Sequence, residues 1–234
     1  MTIHSNIEAK NLAEIPLFKD LDAADLAHLA AAGHVKTHSA GEYFFMQGDQ
    51  TEALFVLTQG RVRLSQSGAD GHQVLIRIIL PITLFGLITL AKAKTYPVSA
   101  QALADSRAVY WLKDEMMVFM NQMPKLGLNA IQIMSSTIQE MQERFRQVAT
   151  ERVERRLART LLRLIDQAGR KVSDGILIDL PITRQELAEM CGTTLFSVSR
   201  ILNQWEDQSL VSVGRERVII RDPSGLEKIA GDSL

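Results

Sequence analysis

The chain has 234 residues, 46% of them hydrophobic and 23% charged, with a formal net charge of −1 at pH 7. That is ordinary for a globular protein with one large domain or two small ones, and it excludes polyanion binding by bulk charge alone. The single cysteine, Cys191, excludes an intrachain disulfide framework and any zinc or iron–sulfur centre built from several thiolates.

The amino-terminal stretch "MTIHSNIEAKNLAEIPLF" has no basic start followed by a long apolar run, so no signal peptide is expected. The longest apolar stretch, 74–90, is broken by Arg77, Pro81 and Thr83 and is too interrupted to span a bilayer. A reducing, cytoplasmic setting without membrane attachment is the expectation. The segment "DLDAADLAHLAAAG" reads as a helix with Asp22 as N-cap and Leu26 and Leu29 on its inner face. From Gly41 to Leu112 the chain reads as short strands: "GEYFFMQGD", "ALFVLTQGRVRLSQ", "HQVLIRIILP" and "VSAQALADSRAVYWL". They are rich in Val, Ile, Phe and Tyr and punctuated by glycines. In "RVRLSQ" the alternation sets Val62 and Leu64 on one face, and Asp70-Gly71 reads as a hairpin turn. Strands of this length with regular turns imply a small β-barrel or jelly roll.

The clearest periodicity follows. Ile131, Met134, Ile138, Met141, Phe145 and Val148 recur at alternating spacings of three and four, an a/d seam flanked by Gln, Glu and Arg. A narrow seam on a long helix predicts pairing with a second copy, and Pro124 and Gly127 mark the start of that helix. The arginines Arg144, Arg146, Arg152, Arg155, Arg156, Arg159 and Arg163 read mainly as a solvated face with partners such as Glu151 to Arg155. Some are free to lean on a phosphate backbone.

The next helix carries Val153, Leu157, Leu161 and Leu164 on one face and ends at Gly169; "SDGILIDLP" follows as a strand-like piece. Thr183 and Glu186 then make a T-x-x-E capping box, and the helix behind them, carrying Leu187, Ala188 and Met190, stops at Gly192. Thr193 or Thr194 caps a second helix with Val198, Ile201, Leu202 and Trp205 on its buried face. "LVSVGRERVIIRD" closes the chain as a hairpin with Gly214 in its turn. Helix, short Gly-containing turn, helix and hairpin make a winged helix-turn-helix. Its outward face would be Thr194, Leu195, Phe196, Ser197, Ser199 and Arg200. Arg200 suits the O6 and N7 of a guanine, the small serines permit close approach, and Leu195 and Phe196 suit thymine methyls. Thr183, Arg184 and Gln185, at the start of the preceding helix, suit a phosphate. A helix-turn-helix also serves some protein–protein contacts, which remains the bland alternative.

A barrel, a long pairing helix and a carboxyl-terminal winged helix-turn-helix together resemble the cyclic-AMP receptor protein/FNR (CRP/FNR) family of bacterial transcription regulators. The resemblance runs over about residues 15–225 and is carried by "GEYFFMQGDQTEALFVLTQGRVRL" and "TRQELAEMCGTTLFSVSRILNQWEDQSLV". It implies an α+β chain with three parts. These are a double-stranded β-helix (jelly-roll) effector domain over 1–122, a dimerisation helix over 123–150, and a winged helix-turn-helix over 151–234. It further implies a homodimer that binds a palindromic operator, contacts RNA polymerase, answers a small effector and catalyses nothing.

The departures concern the effector. Cyclic-AMP-binding members carry Gly-Glu after the barrel's Phe, for the ribose, and Arg-Ser or Arg-Thr a dozen residues on, for the phosphate. Here the frame is Phe85, Gly86 and Leu87, then Val98 and Ser99, with Ile138 and Met141 expected across the pocket from the helix. A buried phosphate without a charged partner costs several kcal/mol. Cyclic AMP is therefore disfavoured and an apolar pocket expected, while a lone cysteine excludes the oxygen-sensing cluster. The remaining options are an organic effector, no ligand, or haem sensing nitric oxide or carbon monoxide. Haem ligands would come from His28, His34, His38, His72 and His4, or from methionines such as Met46, although each histidine alone reads as a surface residue. A cupin-like enzyme is disfavoured because His72 is the only histidine between Gly41 and Leu112. In the reading helix, Phe196 stands where the family often has a glutamate that accepts from a cytosine amine, so the operator should differ at that base.

Overall fold

The computed structural model describes residues 7–68, 73–91 and 93–231. It divides into two compact units, one ending at Gln139 and the other beginning at Glu140. The division falls within a single long helix, inside the segment expected to be a separate dimerisation element.

The first unit opens with α1 (Ala9–Ala13), a 3-10 turn (Pro16–Phe18) and α2 (Ala23–Ala32). The strands follow: β1 (His34–His38), β2 (Tyr43–Phe45), β3 (Ala53–Gln59), β4 (Val62–Ser67), β5 (Gln73–Ile79), β6 (Thr83–Phe85), β7 (Ser99–Ala102) and β8 (Ser106–Leu112). A second 3-10 turn, Leu87–Leu90, lies between β6 and β7. Helix α3 (Lys113–Gln122) leads into α4 (Pro124–Thr150). The strands form two antiparallel four-stranded sheets, in the orders β1-β8-β3-β6 and β2-β7-β4-β5. This is the expected jelly roll.

Strand β3 explains why its sequence is apolar without a break. Its alternate residues serve two cores. Phe55 and Leu57 face the cluster between the sheets, with Phe44, Phe45, Phe85, Tyr96 and Ala100. Leu54 and Val56 face a second cluster with Val109, Trp111, the amino-terminal helices, α3 and the start of α4. Polar groups close this outer layer. The indole of Trp111 donates to Leu29 O at 2.9 Å, and the amide of Asn129 donates to Leu17 O at 2.9 Å and Lys19 O at 3.0 Å. Asp22 caps α2 as expected, accepting from Asp25 N at 2.7 Å, with Leu26 and Leu29 buried.

Several details differ from the sequence reading. "VSAQALADSRAVYWL" is two strands, β7 and β8, and β1, β6 and α3 were not anticipated. On β4 a register shift between Leu64 and Ser65 breaks the expected parity, so Ser65 is buried alongside Val62. The turn at Asp70-Gly71, together with His4 and His72, lies outside the described residues.

The second unit holds the end of α4, then α5 (Val153–Ala168), β9 (Gly169–Val172), β10 (Gly175–Ile178), α6 (Arg184–Cys191), α7 (Leu195–Asp207), β11 (Val211–Gly214), β12 (Arg217–Ile220) and α8 (Pro223–Ala230). The β strands make one sheet in the order β11-β12-β10-β9. The hairpin expected to close the chain is followed by α8, capped by Asp222, whose carboxylate accepts from Gly225 N at 3.0 Å. In the β11–β12 turn the left-handed residue is Glu216, with φ of 54°, rather than Gly214. Gly169 is extended and begins a strand; it is glycine because a Cβ there would lie 2.3 Å from Ile165 O.

Candidate nucleic-acid interface and effector site

The helix-turn-helix is set by its caps. Thr183 Oγ1 accepts from Glu186 N at 3.1 Å, and Glu186 Oε2 accepts from Thr183 N at 2.8 Å. This reciprocal box satisfies two of the orphan donors at the start of α6. Gly192 ends α6 in the left-handed region, with φ of 59°. Thr194 then caps α7, accepting from Ser197 N at 3.2 Å. Two chain reversals are thus fixed within a few residues, and they orient α7.

Helix α7 is sharply two-faced. Val198, Ile201, Leu202 and Trp205 are buried, as their spacing implied. The other face carries Phe196 at 78% exposure, Leu195 at 47%, and an exposed Arg200. Ser197 and Ser199 are half-buried, and the Ser197 hydroxyl is shared with Thr194 at 3.1 Å. At the start of α6, Arg184 is half-buried, while Gln185 is exposed and donates to Glu189 at 3.0 Å. The exposed Asn203, three residues past Arg200, extends the outward face and was not singled out from sequence.

Arg156 departs furthest from the solvated face expected of the arginines. Grouped with the surface arginines, it is only 8% exposed. Its Nε donates to Cys191 O at 2.8 Å and its Nη1 to Glu151 O at 2.5 Å, with a longer contact from Nη2 to Gly192 O at 3.3 Å. A planar fork thereby ties the last carbonyls of α6 to the α4–α5 junction. Its spacing was the available signal: Arg156, Thr160 and Leu164 fall four apart and are all buried. Glu151 is not paired with Arg155 as expected; its carboxylate takes Arg146 at 3.0 Å and Arg159 at 2.8 Å. Cys191 is buried against Thr160, and burial pushes its thiol up from the ordinary range, so it is poorly suited to redox chemistry.

In the first unit, Gly86 adopts φ of 77° and caps the 3-10 turn; a Cβ there would lie 3.1 Å from Ala53 O. Phe85 stacks on Phe55 at a centroid distance of 5.1 Å. Val98 packs on the inter-sheet cluster, but Leu87 packs on the outer one; its neighbour Ile88 takes the inward place. The Ser99 hydroxyl accepts from Gln47 N at 2.9 Å and lines a shallow surface depression with Tyr43, Met46 and Gln73. The expected pocket residues are therefore divided between two cores and an outer surface. Ile138 and Met141 are exposed on α4, as are Ile131, Phe145 and Val148, while Met134 is half-buried.

The space between the sheets is occupied by rings. Phe45 stacks on Tyr96 at 3.8 Å, and Phe44 meets Phe55 and Phe85 edge-on. The Tyr96 hydroxyl donates to Ala53 O at 2.7 Å and accepts from Ala53 N at 3.0 Å. Beside this stack lies a cavity of about 490 Å3, walled by Phe44, Phe45, Phe55, Tyr96 and Tyr110 with Lys36, Asp49 and Glu52 among its lining. Its lining is mixed in polarity and includes none of the expected pocket residues. The described haem-ligand candidates are dispersed. His28 is edge-on to Phe119 at 5.2 Å, His34 is 2.9 Å from Glu115, His38 is 3.3 Å from Glu42, and Met46 is exposed. Among the described residues, no group of three or more His, Cys, Asp or Glu is placed to hold a metal ion, and no helix is long and apolar enough to cross a membrane.

Residues 35–123 match the family described as the cyclic nucleotide-binding domain, and residues 155–229 match the Crp-like helix-turn-helix domain. Among curated proteins, the chain is 27% identical over 207 residues to the anaerobic regulatory protein of Bacillus subtilis (strain 168), covering 88% of this chain and 87% of that one. It is 25% identical over 215 residues to the cyclic AMP receptor protein of Thermus thermophilus, covering 92% and 96%. Its fold is shared with the solved structure of FixK2 from Bradyrhizobium japonicum, at a TM-score of 0.72 and 18% identity over 84% of this chain and 96% of that one. The effector-type sandwich, the long helix and the helix-turn-helix, in that order, make this chain a member of the CRP/FNR family of DNA-binding transcription regulators.

Proposed function

We propose that the chain acts in the cytoplasm as a homodimer that reads a palindromic operator, contacts RNA polymerase, and is controlled through its first unit by an effector other than cyclic AMP. The observation that carries the operator reading is the outward face of α7, where Arg200 is exposed on a helix whose start is capped by Thr194. Thr183, Arg184 and Gln185 supply the adjoining phosphate contacts; Thr194, Leu195, Phe196, Ser197 and Ser199 supply the approach. Dimerisation is supported by the α4 stripe, where Met141 is 65% and Phe145 78% exposed at a/d spacing. The effector reading is supported by Leu87 and Val98. Both are aliphatic, and neither offers the ribose acceptor or the phosphate cation that a cyclic nucleotide needs.

The test is selection of a preferred duplex from random DNA by the full chain, then titration at fixed salt. Arg200→Ala should weaken the selected duplex by roughly 1–3 kcal/mol and relax one base position. Ile138→Glu with Met141→Glu should give monomers by analytical ultracentrifugation. A double variant that stays dimeric would move the interface off α4. Saturating cyclic AMP should leave operator affinity unchanged; a cyclic-AMP-dependent gain would overturn the effector reading.

A further inference from the structure

We infer that Phe196, seconded by Leu195, reads thymine methyl groups, so that each half-site places a thymine beside the base met by Arg200. This rests on the operator-reading role proposed above and assigns it a base preference. A phenylalanine with 78% of its surface exposed is not part of the α7 core, whose residues Val198, Ile201, Leu202 and Trp205 lie on the opposite face. It sits in the first turn, the part of a reading helix that reaches base edges. Its spacing of four from Arg200 puts the ring and the guanidinium on one face, one turn apart. Leu195, 47% exposed, widens the same apolar tip.

The chemistry of the groove then selects the partner. The major-groove edges of adenine, guanine and cytosine offer hydrogen-bond donors and acceptors, none of which a phenyl ring satisfies. Pressing the ring on them would strip water from polar groups without replacement. Thymine alone presents an apolar group, its C5 methyl. A ring that excludes water from that methyl gains stability in proportion to the apolar area covered. The same ring disfavours cytosine, whose amine would be left without an acceptor.

The experiment replaces thymine by uracil, which removes the methyl and keeps every hydrogen-bonding edge. The full chain selects its duplex from random DNA, and each thymine of the half-site is replaced in turn, symmetrically in both halves. At one or two positions the affinity should fall about fourfold for each methyl lost, the equivalent of one buried methyl group. Phe196→Ala should bind the thymine and uracil duplexes equally. Phe196→Leu, which keeps an apolar tip, should retain part of the difference. Phe196 is exposed, so the Phe196→Ala protein should melt at the parent temperature. If no duplex is preferred over random DNA, the operator-reading role itself fails. If a duplex is preferred but uracil binds as well as thymine at every position, that role stands and the methyl contact is refuted. Equal loss on both duplexes in Phe196→Ala would also refute it, placing the ring against sugar or against another protein.

Discussion

Removing the Arg156 fork should destabilise the second unit without touching its apolar core. Arg156→Met keeps most of the aliphatic stem and deletes every donor. Two short charge-assisted bonds are lost, to Cys191 O at 2.8 Å and Glu151 O at 2.5 Å. A buried acceptor stranded in this way costs about 1–3 kcal/mol. Gly192 is exposed and water can reach that end of the turn, so the total should fall near the low end, about 3 kcal/mol for the pair. Arg156→Lys should recover about half, since an ammonium is a point donor rather than a fork. The chain's tryptophans are Trp111 and Trp205, the second buried in α7. Urea unfolding followed by fluorescence in a common Trp111→Phe background therefore reports the second unit. Exchange of the Gly192 and Thr193 amides, which donate to Glu189 O at 3.1 Å and Ala188 O at 2.9 Å, should quicken in parallel. A Met variant within about 0.5 kcal/mol of the parent, the range of ordinary surface substitutions, would show that the fork carries no weight.

Tyr96→Phe deletes a hydroxyl that donates to Ala53 O and accepts from Ala53 N, yet Thr89 still donates to Ala53 O at 2.8 Å. The loss should be about 1–2 kcal/mol, read from Trp111 fluorescence on thermal unfolding, and an unchanged midpoint would refute the latch. On the surface, the hydrogen bonds from Arg146 and then Gln147 hold the Glu143 carboxyl down at about 2. A depressed carboxylate lends its stability above its unfolded pKa, near 4.5, and loses it as the pH falls toward about 2. An NMR titration should place the Glu143 midpoint well below the ordinary carboxylate range, and Arg146→Ala should raise it toward that range, with Gln147 still holding it partly down. Full exposure and salt screening keep the effect on global stability small.

Periodicity and punctuation carried the larger elements. The capping residues Asp22, Thr183 and Thr194, the left-handed Gly192 and the buried face of α7 each follow from residue type and spacing, because caps and amphipathic stripes are local signals. What was illegible depended on partners far along the chain. The register shift on β4 turned Ser65 inward, and nothing in "RVRLSQ" announces a bulge. Arg156 looked like its neighbours until its carbonyl partners, some 35 residues on at the end of α6, came into view. The effector outline was legible only in part. Gly86 has the left-handed conformation that its place in the frame suggests, but which core Leu87 or Ile88 enters is decided by a 3-10 turn after it. The rings that fill the barrel come from β2, β3, β6 and β8 and from the segment before β7, and sequence proximity does not bring these together.

The Tyr96 stack sets a thermodynamic condition on any effector that enters between the sheets. The ring face of Tyr96 is already covered by Phe45, and its hydroxyl is committed to the start of β3. A guest in the adjoining cavity gains affinity only from the surface it covers beyond those standing contacts. If it tilts the Tyr96 ring, the amides of Ala53 and Glu52 lose their acceptor while Thr89 keeps Ala53 O, just ahead of Leu54 and Val56 on the outer core. Breaking that latch is then a cost the guest must offset, and only its preference for the displaced arrangement over the latched one can populate it.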